Sequence, residues 1–574
     1  MANAVGTMDR GTFVGLGVAA AAAGLGAAVL PSQVAHAEGA AAEPRAWDKE
    51  VDFLVVGSGT GAFAALRAAN LGAERVLVIE KSSVWGGTSI MSEGGFGFPM
   101  SRQAAEAGIE DSADEVVKYY LNASEGRADE AVVRSWIENG NGFIDWTSDQ
   151  LGWQWHFDTS FPLFGCDYYE PVEGWIPLGR SSVKTLDAED NSMTALDRWE
   201  MLRQKLDEVG VEILMDTAAT ELVTDAEGAV VGVLAQGPDG PLAIRAGATL
   251  LATGGFENND EMRRKYLPFN ILSTCSSTNN TGDGHRMGAA VGAELSNMGC
   301  FFGVPSIMTT GDDPEQLLAE NRVAHEAVGN DWCIYRNMPG AIVVNRKGRR
   351  FANEGSGYDP YVLTFAAYDN FEMRRANIPA FFICDDAYWN TYSLPGHAVQ
   401  GGANGSFGMG EANEADEADE AVPEFFVKAE TLEELAAKLG IDPDGLAEEV
   451  ARFNANAEAG YDPDFHRGES TFDVTSVSLL GGGLREDLAN PCLAPLATPP
   501  FCGAVYVPGT YSTSGGRTIN ENAQVMHVNG EPIRGLYACG CCSSGVSGGR
   551  YVNGIALASG ATMGWVAAGH ALGA

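Results

Sequence analysis

Short apolar runs separated by glycine-rich turns dominate the chain from residue 51 onward. The run Val51 to Val56 leads straight into Gly57-Ser58-Gly59-Thr60-Gly61-Ala62. Phe63 to Leu71 reads as a helix ended by Gly72, and Arg75 to Ile79 as a second buried strand closed by Glu80. Strand, glycine turn, helix, strand and terminal acid follow one another within about thirty residues, which predicts a β-α-β unit of an α/β fold. Further along, Ala248 to Leu251 reads as a strand entering a Thr253-Gly254-Gly255 turn, and Ala556 to Leu572 as a helix of small residues. Two stretches stand apart. Gly15 to Leu30 is apolar and rich in Ala and Gly, whereas Glu411 to Ala421 has no apolar face and reads as a solvated insertion.

The chemistry expected of the β-α-β unit is specific. Gly57 permits the tight turn, Gly59 lets backbone approach a pyrophosphate, and Ala62 allows close helix–strand packing. The helix N-terminus turns unpaired N–H groups and a positive dipole end toward that pyrophosphate. Glu80 accepts hydrogen bonds from the two ribose hydroxyls and repels a 2′-phosphate.

Composition narrows the class. A chain of 574 residues exceeds one ordinary domain. Its net charge of −41, from 77 acidic and 36 basic residues, repels phosphate backbones and anionic lipid, which argues against nucleic acid or a membrane surface as partner. At the N-terminus, Arg10-Gly-Thr-Phe-Val precedes the apolar stretch, and Ala35-His36-Ala37 supplies the small residues of a cleavage site. Residues 1–37 are therefore expected to be a cleaved export signal that leaves no membrane span, with delivery to the cell envelope or periplasm. The segment resembles a twin-arginine signal in which Gly11 stands in place of the second Arg.

The ten cysteines are scattered apart from Cys539, Cys541 and Cys542, whose spacing matches neither of the usual ferredoxin runs. Most are expected to be small buried hydrophobes. His156, His285 and His466 have no metal-ligand spacing, and no metal is assigned.

A second glycine-rich segment follows the acid: Lys81, Gly86-Gly87-Thr88-Ser89 and Gly94-Gly95. Together with Thr253-Gly254-Gly255-Phe256, Thr281-Gly282-Asp283-Gly284-His285 and Gly535-Leu-Tyr-Ala-Cys539-Gly540, it resembles the flavoprotein family of fumarate reductases and 3-ketosteroid dehydrogenases. That resemblance spans almost all of the chain after the signal. It implies FAD as cofactor, with the second glycine loop at the flavin end, and a Rossmann-like FAD domain split into 38–318 and 490–574 around an α+β substrate cap at 319–489. The N-terminus of the helix at Ala556 and Leu557 is then expected beside the isoalloxazine, where its dipole stabilises anionic reduced flavin.

The resemblance also directs attention to two tyrosines. In Asn345-Arg-Lys-Gly-Arg-Arg350-Phe-Ala-Asn353-Glu354-Gly-Ser-Gly-Tyr358-Asp359, Tyr358 stands where fumarate reductases carry a proton-donating Arg and where the steroid enzymes carry a Tyr acid/base. In Gly548-Gly549-Arg550-Tyr551-Val-Asn553-Gly554, Tyr551 and Gly554 match the Tyr and Gly that hold a 3-keto oxygen, while Asn553 replaces the Ser of the 4-ene dehydrogenase branch. The substrate-binding His of fumarate reductases is missing from Tyr511-Ser-Thr-Ser-Gly-Gly516. Arg550, in contrast, aligns with an Arg that binds a carboxylate in those enzymes. Tyr168 and Tyr169 are further phenols that either pack or join the site.

The expectation is an FAD-dependent oxidoreductase acting on a CH–CH bond. Hydride moves between flavin N5 and the carbon β to the carbonyl of a 3-ketosteroid-like enone, the keto oxygen is held by Tyr551 and Gly554, and Tyr358 serves as acid/base. Reduction is the easier direction, because a phenol with an ordinary pKa near 10 is already an acid at neutral pH. The alternatives are an enoate reductase that uses Arg550 and a non-catalytic flavoprotein electron carrier. No second dinucleotide fingerprint is visible, so a separate electron partner, a cytochrome or a quinone-linked protein, is expected.

Overall fold

The computed structural model describes residues 46–574 except 93, 158–167, 178–179, 181–182, 187–192, 326–332, 398, 400–421, 481–482 and 553. The expected export signal, the acidic run 411–421 and Asn553 lie outside the described residues.

The apolar run of the β-α-β unit forms strand β1 (Lys49–Val56), and the glycine turn passes into helix α1 (Ala62–Asn70) and strand β2 (Val76–Ile79). All four residues of β2 are buried, as are six of the nine in α1, where alanines let helix and sheet approach closely. Helix α2 (Glu130–Leu151) starts on Asp129, which accepts from the Val132 N–H. Helix α3 (Ala195–Glu208) starts on a Thr194/Asp197 capping box.

Strand β3 (Glu212–Leu214) pairs parallel to β2. β4 (Ala218–Thr224), β5 (Val230–Gly237) and β6 (Gly240–Leu251) form an antiparallel series, and β6 then runs parallel along β1. β1 is therefore central, with β2 on one side and β6 on the other, and the carboxyl ends of the parallel strands open onto a common crevice. That is where an α/β sheet of this kind binds its ligand.

A second sheet of seven strands is organised on one long strand. It contains β7 (Ser273–Thr274), β8 (Phe301–Ile307), β9 (Ala324–His325), β10 (Ala341–Val344), β11 (Ala380–Cys384), β12 (Phe426–Ala429) and β13 (Phe501–Thr513). β13 pairs with β7, β8, β11 and β12. Segment 319–489 thus supplies only part of this sheet. The rest comes from flanking chain, because a thirteen-residue strand must satisfy its backbone groups along its whole length.

The chain then returns to the first sheet as β14 (Gln524–Met526) and β15 (Pro532–Ala538), with β15 parallel to β6. Helix α5 (Ile555–Leu572) packs on α1 and α2. It is the one helix among the described residues long and apolar enough to cross a membrane, yet most of its length is buried inside the protein.

Each sheet has its own apolar core, and Tyr169, Trp175 and Tyr551 pack against both.

Candidate active site

The crevice at the ends of β1, β2 and β6 is the mouth of a long cleft. Gly57 turns at φ +107°, a conformation open to glycine, and a Cβ there would run into the Ala252 carbonyl. Ser58, Gly59 and Thr60 continue the cleft wall, whereas Gly61 and Ala62 pack behind it against Val55 and Ala252 and serve helix–strand contact. The loop is clamped from the far side by Trp199 of α3, whose indole N–H donates to the Ser58 carbonyl at 3.1 Å.

Glu80 lines the cleft at the end of β2. Its carboxylate accepts from Ser58 N (2.9 Å), Ser58 Oγ (2.7 Å) and Ser82 N (2.8 Å). Lys81 donates to Asp283 at 2.6 Å and to Thr281 at 2.8 Å, closing one wall. Gly87, Thr88, Ser89, Gly94 and Gly95 line the next stretch, with Gly86 as a left-handed turn against Trp199 behind it. Gly254, Gly540, Gly554, Ala556 and Leu557 complete the wall. Within the first two glycine loops read from the sequence, Gly61, Ala62 and Gly86 stand back from the surface of the cleft.

These residues fit FAD. The N-terminus of α1 carries no side-chain cap and adjoins the glycine loop, as an anion site requires. A carboxylate with three protein donors keeps acceptor capacity for ribose hydroxyls. Thr253 Oγ1, on the cleft wall, is a buried hydroxyl with no hydrogen-bond partner among the described residues. The N-terminus of α5 at Gly554 also lacks a side-chain cap and opens at the far end of the same cleft.

At that far end the cleft becomes aromatic. Tyr358 is the first residue of helix α4 (Tyr358–Leu363), and Tyr551 follows a Gly-Gly turn. Their ring centroids lie 5.5 Å apart. Tyr168 and Tyr511 join them, at 4.9 and 5.8 Å from Tyr358, with Phe302 at 5.1 Å from Tyr551. Enclosure, followed by the neighbouring phenols Tyr168, Tyr551 and Tyr511, pushes the Tyr358 phenol well above the ordinary tyrosine value. The Tyr358 phenol is therefore protonated in the resting site.

Asp359 ties this end together. Its carboxylate accepts from the Gly303 N–H (2.7 Å), the Tyr551 N–H (3.2 Å) and the Tyr169 hydroxyl. Burial raises its carboxyl to about 6, against the opposing pull of those donors and of Arg550. Because this folded-state value lies above the ordinary 3.8, protonation favours the folded protein. The contribution is complete below about pH 4 and is lost as pH rises through about 6. Asp359→Asn is expected to remove a stability change on the order of 2–3 kcal/mol across that window, read from urea midpoints against pH. An unchanged slope in the variant would assign the titration to another group.

Arg550 is not part of the cleft wall. Its guanidinium donates to Glu125 at 2.7 Å and to the Ala123 carbonyl at 3.2 Å, and the charge pair holds it on the helical layer behind Tyr551. Asn553 lies outside the described residues.

The cysteine cluster behaves as packing. Cys542 Sγ donates to the Leu251 and Cys539 carbonyls, both at 3.2 Å, and burial pushes the Cys541 thiol up to about 12. Among the described residues no group of His, Cys, Asp and Glu is arranged to hold a metal. Sequence reasoning gave no role to Tyr511 or Asp359, and read Cys541 only as part of the cysteine cluster. Tyr511 and Cys541 stood beside motifs being read for other residues, and Asp359 carried only the signal of following Tyr358.

Comparison with known proteins agrees with this geometry. The FAD binding domain family matches residues 52–557. The 4-oxocyclohexanecarboxylate 2-dehydrogenase of Sinomonas cyclohexanicum is 29% identical over 562 residues, covering 90% of this chain and 92% of that protein. The 3-oxosteroid 1-dehydrogenase of Mycolicibacterium smegmatis is 30% identical over 600 residues, covering 91% and 97%. A crystal structure of 3-ketosteroid delta1-dehydrogenase from Sterolibacterium denitrificans, in complex with 1,4-androstadiene-3,17-dione, matches with a TM-score of 0.77 at 27% identity, covering 92% of this chain and 100% of that one. The chain belongs to the FAD-binding family of the fumarate reductases and 3-ketosteroid dehydrogenases, and it is an FAD-dependent oxidoreductase acting on CH–CH bonds.

Proposed function

We propose that the protein interconverts a 3-ketosteroid-like ketone and its α,β-unsaturated form, with reduction of the enone as the favoured direction. The observation that carries this reading is the group of four tyrosines, Tyr168, Tyr358, Tyr511 and Tyr551, at the end of the cofactor cleft. Bound FAD supplies hydride chemistry at N5. The Tyr551 hydroxyl and the Gly554 N–H hold the keto oxygen and stabilise the negative charge that develops on it. Tyr358 delivers its phenolic proton to the α-carbon. Phe302 and Phe472 give the flat ring system an apolar, water-excluding wall. A raised phenol pKa keeps the proton on Tyr358 at neutral pH, the form in which the reductive direction starts.

A screen of cyclic enones and unsaturated acids with a reduced viologen donor tests the proposal. Turnover of ring enones supports it, and turnover confined to carboxylic enoates overturns it. Arg550→Ala separates the two readings further. With Arg550 paired to Glu125 outside the cleft, enone turnover is expected to fall by less than about tenfold. An enoate reductase that depends on this Arg would lose activity altogether.

We further propose that residues 1–37 direct export to the cell envelope and that electrons come from a cytochrome or quinone-linked partner. The small-residue cleavage motif and the lack of a second dinucleotide fingerprint in the sequence support these two readings.

A further inference from the structure

Arg517 is fully buried, at 0% exposure, and its Nε, Nη1 and Nη2 all lack a hydrogen-bond partner among the described residues. No acid among those residues forms a salt bridge with it. Two acids of the neighbouring segments are engaged elsewhere. Asp283 binds Lys81 at 2.6 Å and Arg286, and Glu257 is held by Asn280 and Thr513. A guanidinium removed from water with neither hydrogen bonds nor a counter-charge costs many kcal/mol, so the folded protein needs an anion close by.

The surroundings of Arg517 indicate which anion. At Gly284 a side chain would come within 3.2 Å of both Nη atoms and would collide with Thr253 Oγ1. Thr253 lines the cofactor cleft and its hydroxyl is likewise unpartnered. Arg517 also acts electrostatically on Cys539, a cleft residue beside Gly540. A Cβ at Gly540 would in turn sit 3.0 Å from the Oγ1 of Thr60, in the glycine loop. The guanidinium thus lies behind the part of the wall that carries Thr253, within electrostatic reach of Cys539 and so of the stretch that adjoins the glycine loop through Gly540 and Thr60. His285, next to Gly284, cannot supply charge of the right sign. Its Nε2 donates to the Gly515 carbonyl at 2.8 Å, its Nδ1 is left as an unpartnered acceptor, and burial followed by Arg517 keeps the ring neutral.

We infer that Arg517 is a buried counter-charge for the pyrophosphate of FAD, acting through the Thr253 and Cys539–Gly540 wall and completing the anion site begun by the glycine loop. It is a positioning residue, which binds cofactor charge without lining the cleft. In a water-poor interior such a charge acts across several ångströms far more strongly than it would at the surface.

Titration of apoprotein with FAD, followed by quenching of flavin fluorescence, tests the inference in wild type, Arg517→Met and Arg517→Lys. Arg517→Met is expected to raise the FAD Kd by roughly tenfold or more, while Arg517→Lys stays within about threefold of wild type. A Met variant that folds, by circular dichroism, and binds FAD as tightly as wild type overturns the inference. So does a Lys variant as weak as the Met variant, because that outcome assigns Arg517 to packing. Wild-type apoprotein supplies a measurement independent of folding in the variants. Inorganic pyrophosphate is expected to raise its Tm and to compete with FAD. Stabilisation by chloride without competition would identify a free halide as the counter-ion and overturn the proposal.

Discussion

Replacing Tyr358 by Phe is expected to lower kcat for enone reduction by roughly 10²- to 10⁴-fold while FAD stays bound, because the substitution removes only the proton donor. The ring survives, so its contacts with Tyr168, Tyr511 and Tyr551 persist and substrate binding changes little. Tyr551→Phe removes a hydrogen bond to the developing oxyanion, and a loss of the order of 10²- to 10³-fold in kcat is expected. The two variants should differ in pH dependence. Without Tyr358, water must deliver the proton and the rate should rise with acidity, whereas the Tyr551 variant should keep the wild-type profile. Anaerobic single-turnover reoxidation of photoreduced protein by an enone measures both rates directly. If neither variant slows that step, the tyrosine group is packing and the proposed chemistry is wrong.

Arg350→Met is expected to destabilise the protein by about 3–5 kcal/mol, seen as a fall in the urea midpoint. Arg350 donates to both oxygens of Glu354, at 2.8 and 2.6 Å, and to Asp462 at 2.9 Å, and all three side chains are fully enclosed. Burial opposes the charge, but Glu354 and Asp462 more than offset it and hold the guanidinium firmly protonated. Removing the cation strands two carboxylates in the interior, with only Arg467, 3.5 Å from Glu354, left to answer them. The triple variant Arg350→Met, Glu354→Gln, Asp462→Asn should recover part of the loss, since no unpaired charge then remains. Arg350 and Glu354 stand eight and four residues before Tyr358 on the same connection. The single variant should therefore also loosen the placement of Tyr358 and slow turnover beyond what stability explains. A midpoint equal to that of wild type would refute this account of the network.

Much of the cofactor cleft was legible in the sequence, because its determinants are local. The Gly57 turn, the small helix that follows and Glu80 at the end of the next strand act within one β-α-β unit, where residue type and spacing dictate backbone geometry. Lys81, the Gly87–Ser89 loop and Gly254 were read through resemblance to a family rather than from local geometry. The Tyr358 and Tyr551 motifs drew attention through their similarity to a family, though nothing in their 193-residue separation required that they meet.

What the sequence by itself determined is the α/β class and the dinucleotide site, which depend on periodicity and short-range spacing; the two tyrosines were singled out by resemblance to a family. Only the tertiary structure decided which side chains share a space. Packing of β13 against four other strands delivers Tyr511 to the aromatic group, and the Asp359 carboxylate joins segments near residues 169, 303 and 551. Glu125 and Arg550 meet across 425 residues of chain. The physical reason is that a carboxylate or guanidinium acts over a few ångströms in any direction, and the partner it finds can lie hundreds of residues away in the chain.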